Sequence, residues 1–334
     1  MYVDQWGEIH PPPDPEKAKP LDPDSLAATG IEVSEQSDIG QIVRRYGTAK
    51  ARNRQMAGFL AASSTSRQHP YRKLSQKLYD CASWMEIHHY TETKQNRIGR
   101  ASLCKKHLLC PVCAIRRGAK TLRNYHQRAV YLAATHDFHF VTLTVKNGPD
   151  LWERYQHLKR SFHLLRRRGT RGHGVWAGVS GAVWSTEFTK SEHGWHPHLH
   201  ILVATPKGSP RITYGQGSQL AVDWLMATGD SFITHAAPIE ATGDDLAGGL
   251  VEVLKYALKF SDLDLADNLE AFETLKGKRL IQASGCFFGL DLPDDDPLTD
   301  DPEDGPYIAL FFNYGSSGYR LASSVEQAYH PHIT

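Results

Sequence analysis

Histidines occupy alternate positions of "GWHPHLHILVA" (194–204), at His196, His198 and His200, inside an otherwise apolar run. Period-two alternation sends Leu199, Ile201 and Val203 to one face of a strand and the imidazoles to the other. The apolar face can be core; the imidazole face needs a use. At a rise near 3.3 Å per residue, His198 and His200 have Cα atoms about 6.5–7 Å apart, so their rings can converge on one ion. His196 and His200 lie about 13 Å apart by the same arithmetic, so the three can hardly share one centre. A third ligand must then come from the neighbouring strand, and Glu187 is the candidate. "VSGAVWSTEFTK" (179–190) reads as that strand, and a hairpin folded about Glu192–His193 sets residue 187 opposite 198 on a shared face. Trp184, Thr186 and Phe188 then point to the core, while Ser185 and Glu187 face the histidines. Two imidazoles and one carboxylate leave coordination positions open for a substrate oxygen, and such a nitrogen–oxygen set accepts magnesium or manganese.

A second set of reactive groups lies in "GGLVEVLKYALKFSD" (248–262). Leu250, Val251, Leu254 and Leu258 have helical spacing and are expected to form the buried stripe. Glu252, Lys255, Tyr256 and Lys259 sit at i, i+3, i+4 and i+7, on one opposite stripe. A phenol with an ordinary pKa near 10 is a poor nucleophile. A lysine one turn away favours the phenolate, and a phosphate polarised by a metal is easier to attack. Glu252, one turn the other way, could take a proton from water at the same centre.

Cys81, Cys104, Cys110 and Cys113 form a third set, closing with "CPVC". The last two have the knuckle spacing used for zinc, and four thiolates complete a closed structural site. His107 is a rival for the fourth position, with Cys81 the member it would replace; Cys286 is expected to be structural. Arg116, Arg117, Lys120 and Arg123 follow and offer contacts to a phosphate backbone.

The elements that must position these groups can be read along the 334 residues. Helices are expected over 41–62, 114–135, 150–168, 218–228 and 246–262, and strands over 139–148, 179–190, 196–204 and 230–240. That order suggests an α+β fold with an antiparallel sheet. Residues 1–40 hold nine acidic and two basic side chains and read as a disordered acidic, Pro-rich arm. Residues 41–135 read as a basic helical and zinc-binding segment, 136–290 as the catalytic domain, and 291–334 as an acidic linker and tail. The net charge of +1 conceals a body, 41–290, with 35 Lys/Arg against 19 Asp/Glu, the balance of a polyanion-binding protein. No apolar run approaches the roughly 18–20 residues that span a bilayer, and the N-terminus lacks a secretory pattern. A cytoplasmic protein without a membrane partner is expected.

Alternating histidines on "WHPHLHILVA", an upstream "HFVTLTVKN" strand, and a helix with Glu252, Tyr256 and Lys259 together resemble the HUH endonucleases. The likeness is greatest to single-tyrosine rolling-circle replication initiators of bacterial plasmids and spans roughly residues 71–265; the cysteine segment is similar too. The resemblance implies an RRM/ferredoxin-like core, an antiparallel sheet flanked by helices, with an N-terminal zinc-binding segment. It implies a nickase and strand transferase in which His198, His200 and Glu187 hold a divalent ion (Mg2+ or Mn2+) against a phosphate of single-stranded or hairpin origin DNA. Tyr256 would attack to give a 5′-phosphotyrosine and a free 3′-OH, and Glu252 would activate water for termination. Host helicase, DNA polymerase and single-strand-binding protein are the implied partners, and the bacterial cytoplasm the implied setting.

Three rivals remain. An HUH transposase or conjugative relaxase shares the histidines but often uses two tyrosines, where position 252 here is Glu. A histidine-triad nucleotide hydrolase would use His198 as the nucleophile and leaves the Glu252/Tyr256 helix without a purpose. A non-catalytic zinc-dependent DNA-binding protein would leave the histidines unexplained.

Overall fold

A computed structural model describes residues 2–3, 9–10, 31–64, 66, 69–240, 243–255, 263–289 and 307–327. They fall into two compact units, one within 1–105 and 295–334, the other within 106–294.

The first unit contains α1 (Asp38–Ala62), α2 (Pro70–Asp80), β1 (Trp84–Tyr90) and β2 (Asn96–Ala101). The second begins with α3 (Pro111–Leu132), β3 (His136–Thr144), α4 (Leu151–Thr170), β4 (Gly181–Ser191) and β5 (Gly194–Pro206). It continues with α5 (Gln219–Thr228), β6 (Thr234–Ile239), α6 (Gly243–Lys255), α7 (Leu265–Leu275) and β7 (Ile281–Gly285). The chain then returns to the first unit with β8 (Tyr307–Gly315) and β9 (Gly318–Gln327).

In the second unit β3-α4-β4-β5-α5-β6 is a β-α-β-β-α-β run whose strands lie in the order β6-β3-β5-β4, with β7 added beside β4; every pairing is antiparallel. This is the ferredoxin-like split order, in which the two central strands are the first and third of the run. The expected α+β class and antiparallel sheet with flanking helices are both present. One face of the sheet packs α4, α5 and a 3-10 turn (Val175–Gly178) through Leu158, Phe162, Trp176, Trp184, Leu199 and Trp224. The opposite face packs α3 and α6 through Tyr125, Ala129, Leu246, Leu250 and Val253 against Phe138, Val183 and Leu202. The buried stripe of α6 is therefore Leu246, Leu250 and Val253, and Val251, expected within it, is 41% exposed. The helix begins at Gly243, and packing against Val183 and Leu202 selects the i, i+4, i+7 set beginning at 246 as its apolar face.

Local signals stop the elements where they should. Ser218 caps α5 by accepting from the Ala221 N–H, and Gly229 ends it in the left-handed region at φ 73°. Asp150 caps α4 through the Glu153 N–H. Pro111 opens α3, and the Cys110 sulfur stands at its N-cap, where the helix dipole favours a thiolate.

The first unit differs from the expected helical segment. β1 and β2 form a four-stranded antiparallel sheet with β8 and β9, in the order β9-β8-β1-β2. Residues 307–327, expected as tail, are a hairpin whose apolar alternation (Ile308, Leu310, Phe312) meets Met85 and Ile87 and the α1 residue Ile39. Ile31 and Ile39, within the stretch read as an arm, are buried in this core, and α1 starts at Asp38. The strong acidity around these segments masked their apolar period, and a strand whose partner is over two hundred residues away carries no local mark of it. No helix among the described residues is long and apolar enough to cross a membrane.

Candidate metal centre

β4 and β5 join through a tight turn at Glu192–His193, with Ser191 paired to Gly194 and Glu187 to His198, the expected register. Two anchors hold that hairpin. Gly194 adopts φ +93°, and a Cβ there would meet the Gly148 carbonyl oxygen at 2.4 Å. The close approach lets the backbones of Gly148 and Trp195 exchange hydrogen bonds at 3.1 and 2.7 Å. On the other side Lys190 bonds Asp267 and Glu270 of α7, and the fully buried Trp195 indole N–H donates to Glu270 at 2.9 Å.

The pleat then turns Glu187, His198 and His200 to the face carrying α3 and α6, with Trp184, Thr186 and Leu199 on the reverse. Glu187 Oε2 lies 2.5 Å from His198 Nε2 and 2.9 Å from His200 Nε2, with Glu187 and His200 buried. One candidate ligand atom from each residue lies within 4.8 Å of the others, so the three form a group able to hold a metal ion. Burial raises the Glu187 carboxyl, but hydrogen bonds and charge from His198 and His200 outweigh it and bring the pKa down to about 2.

The hydrogen bonds behind the rings fit a cation. His198 Nδ1 faces the His196 carbonyl oxygen at 3.3 Å, which can only accept, so Nδ1 carries the proton. In the neutral ring Nε2 is then a lone pair aimed at a carboxylate oxygen, and two lone pairs face one another unless a proton or cation stands between them. His200 Nδ1 lies 3.4 Å from Thr142 Oγ1, on the adjacent strand β3, which orients the second ring the same way. Thr142 was not singled out by sequence; its only signal is the alternation of "TLT", and the pairing of β3 with β5 is what gives that alternation meaning. His196 stacks at a tilt 5.3 Å from His198 and stays outside the group, and burial followed by the charge of His198 lowers its pKa.

α6 ends beside this centre. The Ser185 hydroxyl donates to the Val253 carbonyl oxygen, and Ser185 pairs across the strand with His200. Glu252 and Lys255 belong to the backbone of α6, whereas Tyr256 and Lys259 lie outside the described residues.

Among the cysteines, the Cys104 N–H reaches Cys81 Sγ at 3.3 Å and the Cys113 N–H reaches Cys110 Sγ at 3.5 Å. Cys81 and Cys104 belong to the first unit, and His107, Cys110 and Cys113 to the second. Arg116, Arg117, Lys120 and Arg123 lie on α3, with Arg117 and Arg123 exposed and Arg116 and Lys120 half-buried.

Residues 95–214 match the model of a family described as replication protein. The matched stretch takes in Cys104, Cys110, Cys113 and all three residues of the metal centre, and ends before α6. No curated protein and no solved structure gives a significant match.

Proposed function

We propose that this protein is a rolling-circle replication initiator that nicks single-stranded origin DNA, a reading supported by the match of residues 95–214 to the model of a family described as replication protein. The observation that carries the reading is the convergence of both imidazole Nε2 atoms on one buried carboxylate oxygen within the matched stretch. Glu187, His198 and His200 would hold Mg2+ or Mn2+, which when bound would draw electron density from a phosphodiester phosphorus. Thr142 and the His196 carbonyl keep the two rings in register for that task.

Tyr256 is the nucleophile of this proposal. The tie of Val253 to Ser185 beside the centre supports giving this role to a residue that follows closely in the sequence. Its oxygen bonds to phosphorus, the 3′ oxygen leaves as a hydroxyl for a polymerase to extend, and the 5′ phosphate stays on the enzyme. Lys259 favours the phenolate, Lys255 contacts a phosphate, and Glu252 takes a proton from the water that ends the round. The ester conserves the bond energy, so the strand can be rejoined without a nucleotide cofactor. Zn2+ on Cys81, Cys104, Cys110 and Cys113 would be structural, with Arg116, Arg117, Lys120 and Arg123 on the DNA backbone. Single-strand-binding protein, a host helicase and a polymerase are the partners such a reaction needs, and the bacterial cytoplasm is where it would meet them.

The test is an origin oligonucleotide labelled on either side of the nick, with manganese present. Label becomes protein-bound only from the downstream side, and Tyr256→Phe abolishes the adduct; an adduct that survives this substitution refutes the assignment. Glu252→Ala still nicks and fails to terminate, and normal termination would refute its role as base.

A further inference from the structure

Trp184 and Thr186 point away from the metal centre, and on that reverse face of β4 the helix α4 carries Lys159, His163 and Arg166 at i, i+4 and i+7. The two cations and the imidazole rim a pocket of about 100 Å³. A site of this kind needs about 10–15 Å³ for one water, so the space takes a group the size of a heterocyclic ring. Its floor is apolar, from Phe162, Trp184 and Leu199, and Thr186 and Gln282 add hydrogen-bonding atoms. The Arg166 guanidinium lies 4.7 Å from the Trp184 ring centroid and 5.7 Å from that of Phe162. None of Lys159, His163 and Arg166 forms an ion pair with a carboxylate among the described residues. Two cations and an imidazole around an apolar cup, with no carboxylate paired to them among the described residues, make an arrangement completed by a ligand that is itself anionic at one end and flat at the other.

We infer that this pocket seats one nucleotide of the DNA strand, its base in the cup against Arg166 and its phosphate on the rim of Lys159 and His163. The inference rests on DNA being the substrate. A guanidinium stacked on an indole presents its second face to a base, and stacking of this kind tolerates any sequence. Phosphate oxygens match the uncompensated cations. Burial lowers the Arg166 pKa, the mark of a desolvated charge. The path is short as well. Thr186 is the residue next to the metal-centre Glu187, and Gln282 belongs to β7, the edge strand, paired with Trp184. A single strand leaving the metal centre can pass round that edge, where Lys276, Lys278 and Arg279 precede β7, and arrive at the pocket.

The full chain is titrated with a fluorescent single-stranded origin oligonucleotide in EDTA, so that cleavage does not intervene. Arg166→Gln, which loses the stacking partner of the base, weakens binding about tenfold or more. Because Arg166 also packs on Trp184, His163→Glu at the exposed rim is the second variant, and it weakens binding without touching the core. A scan of single abasic sites finds one position that weakens the parent chain and has no further effect in Arg166→Gln. Unchanged affinity in both variants, or an abasic profile identical in parent and Arg166→Gln, overturns the pocket. Free dAMP that saturates the chain at the oligonucleotide's own concentration overturns the strand as its source. Nicking is scored in parallel: a chain that binds as described and never nicks overturns the nickase reading and leaves the pocket standing.

Discussion

Replacing Glu187 by Gln removes a charge and almost no volume, which isolates what the carboxylate does. In the parent, one oxygen accepts from two imidazoles, at 2.5 and 2.9 Å, in a site where the Glu187 side chain is 8% exposed. Hydrogen bonds to a charged group contribute about 1.5–3 kcal/mol and neutral ones about 0.5–1.5 kcal/mol. Exchanging one kind for the other at two bonds predicts a loss of about 2 kcal/mol in metal-free protein. For a unit of 150–250 residues each kcal/mol moves Tm by about 2–4 °C, so the variant melts about 4–8 °C lower at pH 7 in chelator. Manganese then supplies the second half of the test. At a hundredfold excess over its Kd a bound ion adds about 2.7 kcal/mol, or about 5–10 °C, to the parent. Glu187→Gln gains little at the same concentration, because a neutral amide oxygen is a far weaker ligand than a carboxylate. Glu192→Gln, exposed at the hairpin turn, behaves as the parent in both arms. A Glu187→Gln variant that melts with the parent in chelator refutes the hydrogen-bond account. One that keeps the full manganese shift removes Glu187 from the ligand set.

Four further outcomes follow from the same geometry. Gly99→Ala puts a Cβ 2.1 Å from the ring of His88, which is held by Glu86 at 2.6 Å and stacked on Tyr307 at 3.9 Å. The ring has nowhere to go, so thermal melting should show a loss of about 3 kcal/mol. Ser185→Ala leaves the Val253 carbonyl without its hydroxyl donor; it costs about 1–2 kcal/mol and speeds amide exchange at the end of α6. His139 is buried with neither ring nitrogen hydrogen-bonded among the described residues; burial lowers its pKa below 6.5, Asp137 opposing and Arg211 adding. Above pH 6.5 it is neutral folded or unfolded; below, the unfolded chain takes the proton first and stability falls. His139→Leu should therefore flatten the acid side of the stability profile below pH 6.5; an unchanged slope counts against it. Finally, EDTA should abolish nicking and added manganese restore it while zinc stays bound, as read by a zinc indicator, because thiolates hold zinc far more tightly than a mixed nitrogen–oxygen set holds manganese.

The metal centre was legible because every step to it is local. Alternation assigns His198 and His200 to one face, and a hairpin closed by two residues leaves only one register, which brings Glu187 opposite His198. The caps at Ser218 and Gly229 are equally short-range, as is the helical spacing of 151–170. Where the reading departed from the fold, the missing information was long-range. The stripe of α6 is set by which face meets Val183 and Leu202, and that turned Val251 outward although its own neighbours resemble a core segment.

Sequence alone thus determined the chemistry: which side chains share a strand face, where helices begin and end, and that a basic body of this composition suits a polyanion. Tertiary structure alone decided which strands lie side by side. Thr142 reaches His200 only because β3 pairs with β5, and Trp84–Tyr90 found its partner in Tyr307–Asn313, with the whole second unit between them in the chain. It also decided that one strand, β4, shows a carboxylate to two histidines on one face and an aromatic cup to Lys159, His163 and Arg166 on the other. The reason is that backbone geometry acts over a few residues, while the choice of distant partner depends on complementary faces that exist only once both elements have formed.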